Sequence, residues 1–345
     1  MTIFNLMYQN TLHKWINNEN NENNFIENRF LNIIWKNKIP NSIEIINNEK
    51  PKNATIYRKI KVKSLNNVFF SGLIESSDEF IKLPISTDSN LLSLLKSNLQ
   101  KCIRRQNTEL AIQTCIHMWN ISPIEVLRRL PIIMLEDVCL LDSFNVLIWM
   151  LGAYGKWKPT IKHLNWILGV VKVLSIHPIK MNINTYNFKI NVQSSVEKAI
   201  ADNDKNISNR STVLCALIIR HSYGGMNCDK NMILSVLWNL FLDKDLLTYM
   251  PIKPIKIKFY PLVRSDILIE SVDFHCCKTL IKYLLRKHDD LNEQQIKNSI
   301  WENSSSTNSR ELNKYVKPLT YGTFNKIYND FKSFNKSYIE KSIKE

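Results

Sequence analysis

Leu91, Leu92, Leu95, Leu99, Cys102 and Ile103 recur at steps of three and four, the spacing of one face of a 3.6-residue helix. A second stripe, Leu110, Ala111, Cys115, Met118 and Trp119, follows Asn107, a residue suited to cap it. Ser122-Pro123-Ile124-Glu125 marks a third start, with Ser at the cap, Pro at the first helical position and Glu able to reach back. Asp142 and Thr160 open two more helices, over about 143–154 and 160–176. Further helices are predicted over about 192–203, 210–222 and 230–243, with Gly224-Gly225 breaking the last pair. The C-terminal part adds helices over about 273–287, 292–302 and 321–341. In the last of these Tyr321, Phe324, Tyr328, Phe331, Phe334 and Tyr338 form one stripe, suited to docking on this chain or on a second copy.

The N-terminal pattern differs. Phe25–Trp35 is apolar at seven positions and predicts a helix, while Asn17–Asn24 is a low-complexity tract that reads as a loop. Ile56, Ile60 and Val62 follow a two-residue period, and Val68-Phe69-Phe70 comes after Asn66-Asn67; together they predict a hairpin. Residues 177–191 read as a loop, and Ser304–Ser309 as a polar, flexible connection. Pro251, Pro254 and Pro261 exclude a continuous helix over 246–264, leaving an extended linker or edge strand. The expectation is a mainly α protein with a multi-helix core and a small β-hairpin in its N-terminal part. It divides into an N-terminal α/β extension (1–88), a helical core (89–245) and a C-terminal helical region after the Pro-rich linker (246–345).

Composition narrows the classes. The chain has 345 residues, 44% hydrophobic and 22% charged, so a packed core is feasible. Only 7 glycines are present, few for turn-rich sheets or phosphate loops. Phe144–Tyr154 is too short to cross a membrane and Leu164–Ile176 carries Lys172; a span needs about 20 apolar residues. Met1–Asn10 lacks a basic region followed by an apolar run, so no secretory signal is expected. Seven scattered cysteines without paired spacing suggest reduced thiols and an intracellular site, cytoplasmic or nuclear.

Catalytic motifs are wanting. The one Gly-Lys pair, Gly155-Lys156, precedes Trp157, and Met150 stands where a phosphate loop needs its first Gly. His275-Cys276-Cys277 near Asp273 resembles a metal cluster, but adjacent cysteines on a helix point about 100° apart. Cys102, beside Arg104-Arg105, is either an activated thiol or a buried structural one. His221 and His275 are the remaining handles for an enzyme reading. No catalytic residue, cofactor or metal is expected.

Charge is more informative. Lys and Arg exceed Asp and Glu by 15, which favours nucleic acid through counterion release; heavy use of Asn, Ile and Lys also fits drift in an AT-rich genome. Between Asp142 and Glu197 there is no acid but there are six lysines, with Trp157, Trp166 and Tyr186 interleaved. Residues 246–265 repeat the pattern with Lys253, Lys256, Lys258 and Arg264. Phosphate contact and base stacking make Lys156, Trp157, Lys158, Lys162, Lys172, Lys253, Lys256 and Lys258 the candidate nucleic-acid-binding residues. The same residues fit core tryptophans beneath a solvated lysine face equally well.

Leu99-Gln100-Lys101-Cys102-Ile103-Arg104-Arg105, Leu110-Ala111-Ile112, Leu127-Arg128-Arg129-Leu130 and Glu136-Asp137-Val138 together resemble the C-terminal collar of replication-associated recombination ATPases of the MgsA/RarA type, relatives of clamp loaders. The order and spacing match over about 91–150, without the ATPase module. Gln106-Asn107 and Cys139 depart from the family pattern. The resemblance implies a helical, collar-like core that self-associates and works near DNA. Arg104, Arg105, Arg128, Arg129, Glu136 and Asp137 are the expected oligomer or structural ion-pair residues, since Arg suits bidentate carboxylate pairing. The resulting expectation is a non-catalytic, DNA-associated accessory protein of replication, repair or genome maintenance. Its partners would be DNA, further copies of itself and replication or repair proteins, with no membrane. An AT-rich large DNA virus is a fitting source, in which case the host cell or a viral factory is the location. The alternative is a structural or scaffold protein, such as a virion component, with incidental positive charge.

Overall fold

The computed structural model describes residues 28–35, 40, 43–62, 65–74, 87–183, 209–241, 245–258, 260–311 and 321–343. The Asn-rich tract, Tyr186, Lys189 and the helix expected over 192–203 lie outside them. The chain is mainly α. Helices α1 (Leu92–Arg104), α2 (Thr108–Ile121), α3 (Pro123–Asp137), α4 (Phe144–Ala153) and α5 (Ile161–Ile176) run in succession. After them come α6 (Asn209–Ser222), α7 (Asn227–Phe241), α8 (Thr279–Lys287), α9 (Glu293–Ile300) and α10 (Tyr321–Ser342).

Local chemistry sets the boundaries. Asn107 caps α2 by accepting the Leu110 amide, and Pro123 opens α3. Glu125 does not reach back to the cap; its carboxylate pairs with Lys96 and Arg128 instead. Helix α1 ends in a left-handed residue, Gln106, at φ 57°. The Gln106 amide reaches the Ile103 carbonyl and the Asn107 amide that of Cys102, the paired bonds of a Schellman stop.

The expected hairpin is β3 (Ile56–Val62) with β4 (Asn66–Ile74), and it belongs to a larger sheet. The order is β2-β1-β4-β3, with β1 (Asn28–Trp35) parallel to β4 and antiparallel to β2 (Glu44–Asn47). Residues 28–35 are therefore a strand, not the helix their apolar run predicts. Leu31, Ile33 and Trp35 point one way, yet Phe30 and Asn32 on the other face are also buried. A strand covered on both faces loses its alternation and reads like a buried helix. Helix α4 lies against the sheet, and the Trp149 indole donates to the Leu31 and Ser71 carbonyls at 3.1 and 2.9 Å. Gly152 permits the approach: a Cβ there would sit 2.1 Å from the Phe70 ring.

One continuous cluster of buried apolar side chains runs from Leu31 to Ile343, across all three segments of the chain. The aromatic stripe of α10 docks on this same chain. Phe324, Ile327, Phe331 and Ile339 are buried, Phe334 meets Tyr283 at 4.9 Å, and Asn335 donates to the Ile269 and Val272 carbonyls.

A buried polar seam joins the C-terminal region to α1 and α3. Arg104 is 3% exposed. It holds Asp137 at 2.6 and 3.2 Å and Glu136 at 3.0 Å, and donates to the Ser305 carbonyl. Burial opposes its charge, but Asp137 and Glu136 outweigh it and hold the guanidinium above its ordinary value. The Gln100 amide bridges: its nitrogen donates to Glu136 and Asp137, while its oxygen accepts from Arg129. One turn away Lys101 pairs with Asp273 at 2.5 Å, and Ser305 donates to the same carboxylate. Arg310 then donates to the carbonyls of Ile103 and Arg104 at the end of α1, and of Leu174, Ser175 and His177 at the end of α5. Those are the unsatisfied, electronegative ends that favour a cation. Ser304, Ser305 and Asn308 are buried here, so residues 304–309 are part of the seam rather than a flexible connection.

Replacing Arg104 by Met leaves Asp137 buried and unpaired, with an expected loss of about 3–5 kcal/mol in urea unfolding. Arg104→Met with Asp137→Leu is expected to recover much of it. For Asp273, burial raises the carboxyl, but His275 and Lys101 overcome this and hold it well below the usual carboxylate range. A depressed folded-state pKa contributes stability above the unfolded value, which is lost as pH falls through the folded one. Unfolding at a series of pH values is therefore expected to show a steep loss below about pH 4, which Asp273→Asn makes shallower.

Candidate nucleic-acid interface

Residues 249–258 and 260–263 form an extended ribbon on the surface, as the prolines require. Met250, Ile252, Ile255, Ile257 and Leu262 are half-buried against the core, while Tyr249, Pro251 and Lys253, then Lys256, Lys258 and Tyr260, face out. The alternation changes phase at Pro254. Four attachments hold the ribbon. At its start, β6 (Leu247–Thr248) pairs with β5 (Leu140–Leu141). In the middle, the Ile255 amide donates to the Asn165 carbonyl of α5 at 2.9 Å. Farther on, His117 of α2 meets the Tyr260 carbonyl through Nε2 at 3.2 Å; the carbonyl can only accept, so this nitrogen carries the proton. Beyond the end, buried Asn98 donates to Thr114 and the Asp266 carbonyl, and accepts from the Leu268 amide and Ser271. Both its amide hydrogens and both oxygen lone pairs are thereby used, three of the four bonds on that anchor.

Gly169 fixes where the ribbon crosses α5. A Cβ there would stand 2.5 Å from the Lys253 carbonyl and 2.9 Å from the Ile252 side chain. At about 100° per residue, Lys162, Asn165, Gly169 and Lys172 fall within roughly 80° of the helix circumference. The ribbon thus passes between Lys162 and Lys172, which are about 15 Å apart along the axis, and it brings Lys253 and Lys256 with it. The two acid-free stretches, separated by some eighty residues in sequence, become one surface. Lys162, Lys172, Lys253, Lys256 and Lys258 are all exposed. Among the described residues, Lys172, Lys253, Lys256 and Lys258 have no acid as an ion-pair partner. Lys156 and Lys158 are exposed in the turn before α5, whereas Lys180 is paired with Glu311.

Trp157 does not belong to the surface. It is 1% exposed, sits edge-on to Trp149 at 6.0 Å and His163 at 4.8 Å, and donates its indole N–H to His163 Nε2. Trp166 is buried as well. An apolar ring beside lysines in sequence was a core residue whose neighbours turn outward. The aromatics that face out on the ribbon are instead Tyr249, 62% exposed, and Tyr260, 38% exposed. Their signal was the outward phase of the ribbon on either side of its lysines.

The expected ion-pair residues divide. Arg104, Glu136 and Asp137 pair within the chain, and Arg128 pairs with Glu125. Arg105 and Arg129 make hydrogen bonds rather than ion pairs, to the Ser304 carbonyl and to Gln100. Gln100 occupies the space between Arg129 and the carboxylates, and Arg105 lies a third of a turn round from Arg104. Arg310, absent from the expected set, makes more of these bonds than either.

Burial, then Lys230 and Arg220, lower the His221 pKa, while His275 lies against Asp273 and Trp301. Burial pushes the Cys102 thiol up to about 12 despite Arg105, and Cys276 up to about 11. Among the described residues, no three His, Cys, Asp or Glu side chains gather as metal ligands, and no helix is long and apolar enough to cross a membrane.

Comparison with protein-family models, curated proteins and solved structures finds no match.

The ribbon's seat is directly testable. Gly169→Ala puts a methyl against the Lys253 carbonyl, with an expected cost of about 1–3 kcal/mol. Hydrogen exchange is expected to speed up at the Ile255 amide, while the Trp149 indole contact to the sheet stays protected.

Proposed function

We propose that the protein is a non-catalytic, DNA-associated accessory protein of replication, repair or genome maintenance, acting as an oligomer. One observation carries the reading: the 246–265 ribbon crosses the acid-free helix α5, so that Lys253 and Lys256 stand between Lys162 and Lys172. Lysines scattered by compositional drift have no reason to converge. The exposed ammonium groups of Lys172, Lys253, Lys256 and Lys258, without a carboxylate partner among the described residues, keep their field available to phosphates, and each phosphate neutralised releases counterions. The oligomeric part of the reading rests on the resemblance to clamp-loader collars. An intracellular setting is supported by the seven scattered cysteines, which form no disulfide among the described residues.

Fluorescence anisotropy with labelled DNA over a salt series tests the reading. Binding is expected to weaken log-linearly with salt, and Lys253→Gln, Lys256→Gln and Lys258→Gln together to reduce the slope by about 2–3. Absence of binding at low salt, or binding indifferent to salt, overturns it and leaves the scaffold alternative. Sedimentation of the free protein reports the oligomer, and a monomer at all concentrations removes that part.

A further inference from the structure

The proposed DNA contact leaves open which form of nucleic acid the surface takes, and the shape of the ribbon bears on this. Its outward positions run Tyr249, Lys253, Lys256, Lys258, Tyr260: a basic track with an exposed aromatic ring at each end. The track is one extended chain wide and at most roughly 40 Å long. Proteins enter the duplex major groove with a helix or a two-stranded ribbon; a lone strand lying flat on a helix is neither. Aromatic faces, by contrast, gain from bases whose π surfaces are open, which a duplex keeps stacked.

The ribbon is also held in advance of any ligand. Pro251, Pro254 and Pro261 restrict its backbone, and β5, Asn165, His117 and Asn98 fix it at four points. Little ordering entropy remains to be lost on binding. Acids stand near both ends: Asp142 bonds the Met250 backbone beside Tyr249, and Glu109 and Asp266 lie near Tyr260. Burial, then Glu109 and Asp266, raise the Tyr260 phenol above its ordinary value, so it stays neutral and able to donate. Asp266 is itself buried and accepts the Val263 amide.

We propose that the 249–260 ribbon is a track for single-stranded nucleic acid, with bases stacking on Tyr249 and Tyr260 and the backbone following Lys253, Lys256 and Lys258. This rests on the nucleic-acid reading above and narrows it.

The test compares binding of the full chain to an oligothymidylate of about 20 nucleotides and to a duplex of the same length, for the wild type, Tyr249→Ala, Tyr260→Ala and both tyrosines changed to Phe. Single-strand binding is expected to exceed duplex binding. Each alanine variant is expected to lose roughly five- to a hundredfold in single-strand affinity, with the salt slope unchanged because no charge is removed. The Phe variants should retain most of the binding. Both side chains are exposed, and unchanged thermal unfolding confirms that the fold is intact. Equal affinity for both probes with silent tyrosine variants overturns the track and leaves the DNA reading standing. No binding to either probe overturns both. Loss of a dimer on tyrosine substitution, without DNA binding, assigns the strip to a second copy of the chain and likewise overturns the track.

Discussion

Arg104 is a cation that cannot be solvated. It is buried where α1, α3 and the C-terminal region meet, and its charge is tolerable only because Asp137 and Glu136 face it with good geometry. A buried ion pair of this kind is a weak source of net stability, but breaking one partner leaves a charge with nowhere to go. The constraint therefore works through arrangement more than through energy. It fixes how α1 sits against α3, and through the Ser305 carbonyl it ties in a segment two hundred residues away. Lys101 with Asp273 repeats the device one turn earlier. Arg310 extends it to the carboxyl end of α5.

The outer surface depends on this buried seam. Helix α5 carries Lys162 and Lys172, and its carboxyl end is closed by Arg310. Asn98 on α1 secures the chain just beyond the ribbon, at Asp266–Ser271. The seam and the Asn98 anchor thus set both sides of the crossing at Gly169. Like charges are brought together outside because opposite charges are matched inside. Glu136, Asp137 and Asp273 are engaged in the seam, and Glu311 with Lys180.

Much of the fold was legible in the chain itself. Helices α1 to α5 follow from three-four spacing, an Asn cap at 107 and Pro123 at a helix start, because these act within a few residues and need no partner. The β3–β4 hairpin follows from its two-residue period, and the ribbon from its prolines. What the pattern concealed were places where burial on all sides erases periodicity. Strand β1, covered on both faces, looked helical, and Trp157 looked like part of a basic surface because its lysine neighbours are polar and it is not. The 304–309 stretch looked like solvent-exposed linker, although Ser304, Ser305 and Asn308 are buried beside the arginines they bond.

The sequence by itself determined the helical class, the scattered spacing of the cysteines, the lack of a phosphate loop and the presence of two acid-free basic stretches, all of which are local or compositional properties. The tertiary structure alone decided that those stretches form one surface, that Arg104 rather than Arg129 meets the acids, and that Tyr249 and Tyr260 rather than Trp157 face out beside the lysines. The reason is physical: which way a side chain points depends on what packs on the other side of its element, and that partner is chosen by contacts far away in the chain.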